Sequence, residues 1–361
     1  MQKKNKINQI EPYIDKFDKS ELTKYINSGG WITEHSQNKI FEEQFKKLTK
    51  SKYSISFPNG TLTLLGILLS INVKKNDEII VPTYTMVATP NAVLLSGAKV
   101  VFCDISKDNL CMCPESLKKK INKRTKAIIY VTLNGRSGHI DKIKYICEKN
   151  KISLIEDSAH SIGSFFKKKH HGNFGTAGSF SFSMPKIITT GQGGMVVTNN
   201  FKIFEKLKKL KNFGRITDGN DLYDTTGYNF KFTDLQATLG ISQLKSIKWK
   251  IKKKGDIFKY YFNNFSNNLN IEMFAFKKNE TPWFTDIYVE DPKKLKDYLE
   301  KKNIITRLVY PSLDSLKIFK SKGNFRNSNY FCSRGLWLPS SLNLSKSQIS
   351  YISKCINDFF I

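Results

Sequence analysis

Three short stretches of this chain combine residue types that suit one kind of chemistry. In Ser181-Phe-Ser-Met-Pro-Lys186, followed by Thr189-Thr-Gly-Gln-Gly-Gly194, a lysine stands between an apolar run and a glycine-rich turn. Burial disfavours the ammonium form, and a neutral amine is the form that attacks an aldehyde. In Leu154-Ile-Glu-Asp157-Ser-Ala-His160, a carboxylate ends an apolar run, with a histidine three residues on. A carboxylate at the end of a buried strand is costly without a positive partner, and a protonated pyridine nitrogen is one such partner. Keeping that nitrogen protonated makes the ring an electron sink. In Asn59-Gly60-Thr61, a helix opens directly after a strand. Its first amides and the hydroxyl suit a phosphate. Singly, each stretch has an ordinary reading: a solvated lysine, a helix-capping aspartate or structural ion pair, a capped helix start. Together they describe a site for a phosphorylated pyridine aldehyde.

The elements around these stretches alternate. Tyr53–Ser56, Glu78–Val81, Lys99–Cys103, Ala127–Leu133 and Ile152–Ile155 read as strands, the last three of the buried parallel type. Thr61–Ile71, Met86–Leu95, Glu115–Ile121 and Ile140–Lys149 read as helices between them. The alternation predicts an open α/β sheet with helices on both faces and ligands at the carboxyl ends of its strands. From Thr233 to Phe262, Leu235, Leu239, Leu244 and Ile247 recur at helical spacing, predicting one or two long helices. Beyond them, shorter elements predict a smaller C-terminal α+β domain. The division expected is 1–245 for the large domain and 246–361 for the small one, with the N-terminal segment packing on the latter.

Composition narrows the class. The chain has 361 residues, 40% hydrophobic and 25% charged, as ordinary globular proteins do. No apolar stretch is long enough to span a bilayer, and the opening MQKKNKINQIEPYIDKF has no apolar core of a secretory signal. A cytoplasmic location is expected. The cysteines, Cys103, Cys111, Cys113, Cys147, Cys332 and Cys355, are scattered and read as reduced and structural, with no metal set. The net charge of +28 comes from 59 Lys and Arg against 31 Asp and Glu. The lysines form dispersed clumps without aromatic interleaving, so no nucleic-acid partner is expected.

The chain resembles the DegT/DnrJ/StrS family of sugar aminotransferases from Gly30-Trp-Ile to Gly335-Leu-Trp-Leu-Pro339. The most specific pieces are Pro82-Thr-Tyr-Thr-Met-Val-Ala-Thr89, Glu156 to His160, Ser181 to Gly194, and Gly227-Tyr-Asn-Phe-Lys-Phe-Thr-Asp-Leu-Gln-Ala237. The resemblance implies an α/β, aspartate-aminotransferase-like (fold type I) large domain with a mixed, mostly parallel sheet. It implies pyridoxal 5'-phosphate as cofactor and pyridoxamine 5'-phosphate in the half-reaction. By resemblance, Lys186 holds the cofactor through its ε-nitrogen and acts as the catalytic acid and base. Asp157 pairs with the pyridine nitrogen, and His160 lies near the ring's phenolic oxygen. Gly60, Thr61 and Ser181 hold the phosphate. Asn229 reaches the neighbouring subunit's cofactor, which implies a homodimer with shared sites. Thr83, Tyr84, Asn134, Arg307 and Tyr310 fall in segments that shape the substrate end.

The activity implied is transfer of an amino group from L-glutamate to a nucleotide-linked keto-sugar for surface-polysaccharide or glycan biosynthesis. Family dehydratases carry histidine at the lysine position, so Lys186 argues for amino transfer. The Thr-Thr-Gly-x-Gly-Gly-Met stretch is similar to perosamine-type 4-amino-sugar enzymes, which suggests a 4-keto-6-deoxy sugar nucleotide. Members usually stack an aromatic ring on the cofactor where Met86 stands, and a thioether packs there favourably too. Other departures are Gln192 in place of glutamate, Thr132 and Asn134 in place of histidine and an aromatic, and Ser312-Leu-Asp in place of a histidine after Tyr310-Pro. The sugar therefore stays open. Amination at carbon 3, a different fold type I activity, and a non-catalytic protein are the alternatives.

Overall fold

The structure, a computed structural model, describes residues 6–217, 219–319, 321 and 323–361. Residues 1–5, part of the charged stretch that opens the sequence, lie outside the described residues. The strands in chain order are β1 (Tyr53–Phe57), β2 (Glu78–Pro82), β3 (Lys99–Cys103), β4 (Thr125–Val131), β5 (Ser153–Asp157), β6 (Phe165–Phe166), β7 (Lys169–His170), β8 (Ala177–Ser181), β9 (Gly194–Thr198), β10 (Thr285–Tyr288), β11 (Arg307–Leu308) and β12 (Gly335–Leu338).

Seven of them form one sheet in the order β1-β9-β8-β5-β4-β2-β3. All pairs are parallel except those of β9, which runs against both β1 and β8. The mixed, mostly parallel sheet is the one expected. Side chains alternate across it because strand residues point to opposite faces in turn. Ile79, Val81, Ala127 and Ile129 enter one core with the helices Gly60–Ser70, Ala88–Leu95 and Phe201–Lys211. Ile80, Ile128 and Tyr130 enter the other with the helices Ser36–Thr49, Ile140–Lys149 and Asp234–Lys245.

The register brings the functional ends abreast. Val131 pairs with Asp157, and Asp157 with Ser179. Ser181 and Phe57 both pair with Gly194. The carboxyl ends of β1, β2, β4, β5 and β8 therefore open on one edge, with the turns that follow them side by side.

After the long helices Asp234–Lys245 and Ile247–Phe265, a second sheet forms in the order β10-β12-β11, all antiparallel. Its core includes Ile257, Tyr261, Leu295, Leu299, Ile352 and Ile356. The N-terminal segment joins it: Ile7 exchanges backbone hydrogen bonds of 2.8 Å with Asn303 and Ile305.

Local chemistry shifts a few boundaries. The helix read from Met86 begins at Ala88, because the Met86 sulfur instead accepts the Ala88 amide at 3.0 Å. β4 stops at Val131, because Asn134 turns left-handed with φ of 54° inside a short 3-10 turn. Asparagine is one of the few side chains that adopts this conformation readily. The hairpin of β6 and β7 carries too few residues to register as an alternating pattern. Among the described residues, all six cysteines are free, and no helix is long and apolar enough to cross a membrane.

Candidate active site

The helix Gly60–Ser70 starts at the end of β1. The Asn59 side chain caps it by accepting the Leu62 amide at 2.9 Å. Helix geometry leaves the amides of Gly60 and Thr61 without an intrahelical acceptor, and the helix dipole makes this end positive. Ser181, at the end of β8, lies against the same turn. A Cβ added to Gly60 would stand 2.9 Å from the Ser181 Cβ, so only glycine lets the two segments meet. Thr63 ties them together, with its hydroxyl 2.5 Å from that of Ser179 and 2.6 Å from the Gly60 carbonyl. Among the described residues the Ser181 hydroxyl makes only long contacts, 3.3 and 3.4 Å, to Ser183.

Asp157 ends β5 in a buried position. Its carboxylate accepts the Thr89 hydroxyl at 2.8 Å and the Ala159 amide at 3.2 Å. Burial raises its pKa, and these two donors and the charge of Lys186 pull the other way. His160 is buried as well, and desolvation with the nearby Lys186 charge holds its pKa well below the usual range. Its Nδ1 accepts the Asn134 amide at 3.3 Å. The ring stacks on Trp283 with centroids 3.8 Å apart and planes 16° apart.

Lys186 projects from the turn between β8 and β9. Its amide donates to Ser183 at 3.0 Å, and its amine lies 4.1 Å from the Trp283 ring centroid. The indole N–H of Trp283 donates to the Pro185 carbonyl at 2.7 Å, which fixes the ring against the residue before the lysine. The surroundings withdraw the amine from water and bring its pKa down to about 7, despite the opposing pull of Asp157. Lys186, Asp157 and His160 thus share one field, and near neutrality the amine has a substantial uncharged fraction.

The remaining expected site residues divide. Tyr310 is half-buried; burial raises its pKa, Arg307 opposes this and Asp157 adds to it, so the phenol lies within the field of both. Arg307 is exposed, with its guanidinium 5.9 Å from the Tyr310 ring and 5.6 Å from that of Trp337. Asn134 lies beside His160, with its amide nitrogen donating to Asp286 at 2.9 Å and its buried amide oxygen without a partner among the described residues. Thr83 and Tyr84 turn inward. Thr83 bonds to the Cys103 carbonyl and the Ser328 hydroxyl, and the Tyr84 hydroxyl lies 3.1 Å from that of Tyr288. Met86 is exposed at the mouth of the β2 turn. Asn229 is exposed too, on the stretch that runs back along the helix Phe201–Lys211 and pairs with Asn212.

Two contributors escape a reading of sequence spacing. Thr89 lies within the Pro82–Thr89 stretch, but its hydroxyl reaches Asp157 across 68 positions. Trp283 arrives just ahead of β10, and nothing near it in sequence signals a site.

This geometry has counterparts among known proteins. The chain is 33% identical over 365 residues to a GDP-perosamine synthase of Vibrio cholerae, covering 97% of this chain and 98% of that one. Its fold matches PseC of Helicobacter pylori, an aminotransferase involved in the biosynthesis of pseudoaminic acid, with TM-score 0.93, 27% identity and 99% of each chain covered. It also matches Spr1654 of Streptococcus pneumoniae, assigned as a sugar aminotransferase and solved in its PLP-form, with TM-score 0.92, 25% identity and 98% of each chain covered. The model of the DegT/DnrJ/EryC1/StrS aminotransferase family matches residues 12–357, and the chain belongs to that family.

Proposed function

We propose that this enzyme transfers an amino group from L-glutamate to a nucleotide-linked 4-keto-6-deoxy sugar, with pyridoxal phosphate held at Lys186. The observation that carries the reading is the meeting of three chemistries on one edge of the sheet. Asp157 is a buried carboxylate with only neutral direct donors. Lys186 is an amine whose pKa is brought to about 7. Gly60 and Ser181 form an anion cradle that an added Cβ would crowd. A protonated pyridine nitrogen, an aldehyde and a phosphate are the complements of those three features.

When bound, the cofactor supplies an aldehyde that accepts the amino group and a ring that withdraws electrons. The rest is the work of the chain. The amides of Gly60 and Thr61 and the hydroxyl of Ser181 bind the phosphate. The Asp157 carboxylate holds the proton on the ring nitrogen. The neutral Lys186 amine would hold the aldehyde carbon and, once displaced by the donor's amine, would carry the proton from the donor's α-carbon to that aldehyde carbon. The same amine serves both half-reactions, so the kinetics are ping-pong. Trp283 shields one side of the amine from water. Arg307 and Tyr310 flank the substrate end.

The active species is a homodimer in which Asn229 reaches the neighbouring subunit's phosphate. Exposed apolar side chains at Met86, Met184, Phe213 and Tyr228 support burial against a second copy. Similarity to GDP-perosamine synthase puts a GDP-linked sugar first among substrates. The test is an assay of GDP-, dTDP- and UDP-linked 4-keto-6-deoxy sugars with glutamate, paired with borohydride reduction and mass analysis of the protein. A cofactor adduct on the Lys186 peptide and 2-oxoglutarate release with one of the sugars are expected. Absence of the adduct removes the proposal.

A further inference from the structure

Arg136 and Asp286 form a two-pronged ion pair sealed inside the molecule, with Nη2 to Oδ1 at 2.7 Å and Nη1 to Oδ2 at 2.9 Å. Arg136 follows β4, and Asp286 lies in β10. A buried pair is poor evidence of stabilisation, because desolvation offsets its attraction. What else the carboxylate holds points to a different role. Asp286 Oδ2 also accepts the Asn134 side-chain amide at 2.9 Å and the Tyr288 hydroxyl at 3.1 Å.

Held this way, Asn134 keeps φ of 54° and ψ of 16°. Its backbone then faces the site on both sides. Its N–H donates to His160 Nδ1 at 3.3 Å, and its carbonyl accepts the Trp283 N–H at 3.0 Å. A carboxylate only accepts, so the NH2 end of Asn134 must face Asp286. A backbone N–H only donates, so His160 Nδ1 must be unprotonated and the proton of the neutral ring sits on Nε2. The stack on Trp283 sets the ring plane.

The geometry points to Asp286 as a positioning residue for the site: through Asn134 it aims the N–H that fixes His160 as a neutral Nε2–H donor. This rests on the proposed amination in one respect, that the atom served by Nε2–H belongs to the cofactor ring. A donor there steadies negative charge on a ring substituent, and the other tautomer would present a lone pair to it.

The test is nitrogen NMR of the full-length protein labelled with 15N-histidine, with the His160 signals assigned by their loss in His160→Gln. The wild type is expected to show one His160 tautomer at pH 7, unprotonated at Nδ1. Asp286→Asn and Asn134→Ala are each expected to mix the tautomers. They are also expected to lower kcat by about tenfold or more through misalignment, while the KM for glutamate changes less than twofold. Asn134→Ala leaves the Arg136–Asp286 pair intact, so it decides the matter should Asp286→Asn fail to fold. An Nδ1–H tautomer in the wild type, or a wild-type spectrum in Asn134→Ala, overturns the inference. Borohydride labelling of Lys186 separates the two readings: a wild type that takes no cofactor sinks the proposed function, while the tautomer still decides this one.

Discussion

The Lys186 amine faces the Trp283 ring at 4.1 Å, and the same indole is bonded to the carbonyl of the residue before the lysine at 2.7 Å. The ring therefore holds both the amine and the backbone that carries it. Phe at 283 keeps a ring but loses the bond to Pro185, and a hydrogen bond of this kind contributes about 1 kcal/mol. Trp283→Phe is expected to be less stable by about that amount in urea unfolding, and Trp283→Ala by about 3–5 kcal/mol from the cavity it leaves. Equal midpoints for wild type and Trp283→Ala would show that the indole is not packed as described.

Among the described residues no carboxylate forms an ion pair with Lys186, and the amine is partly withdrawn from water, so it makes the cofactor-free protein sensitive to pH. Its pKa is about 7 in the folded state against a usual 10.5. Between those values the unfolded chain binds a proton that the folded chain does not, so stability from this group rises with pH across that window. Below pH 7 the full penalty applies. Lys186→Met without cofactor is expected to be more stable than wild type by about 2–4 kcal/mol near pH 6.5, after discounting for water that enters from the cleft. The advantage should shrink towards pH 10.5. Thermal unfolding at a series of pH values measures it, and a gap that widens with pH would contradict the burial of the amine.

The phosphate cradle is tested by affinity. A charged hydrogen bond contributes about 1.5–3 kcal/mol, so Ser181→Ala is expected to weaken cofactor binding by roughly tenfold or more. Gly60→Val places its Cβ 2.9 Å from that of Ser181 and should weaken binding further. Absorbance titration of the cofactor-free variants gives both constants. Unchanged values for both would move the phosphate elsewhere.

Shared sites across a dimer are tested by mixing. Lys186→Ala and Asn229→Asp each spoil one contribution to a site. If Asn229 acts on the neighbour, refolding the two variants together gives heterodimers with one intact site, and about a quarter of wild-type activity should return. No recovery on mixing would confine Asn229 to its own subunit or to no site at all.

The parts of the site carried by local pattern were legible in the sequence. Asn59-Gly60-Thr61 and Lys186 follow strands and Asp157 ends one, and strand ends are readable from apolar runs and turns. β1 to β5 were placed to within two residues, while β8 and β9 of the same sheet were given no bounds. The hairpin of β6 and β7 was not placed, because two-residue strands carry no period. Trp283, Asp286 and Thr89 were not read as site residues for a different reason. Their roles depend on contacts between segments far apart in the chain, which spacing does not encode. Thr83 and Tyr84 show the converse: they sit in a family-like stretch at a strand end, yet their hydroxyls turn to buried partners.

In the second sheet the central strand is the last in the chain. β12, at residues 335–338, lies between β10 and β11, so neither neighbour has its partner until that segment leaves the ribosome. Trp283 stands just before β10. The indole that lies against both the Lys186 amine and the His160 ring is thus carried at the margin of a sheet whose closure depends on residues 335–338.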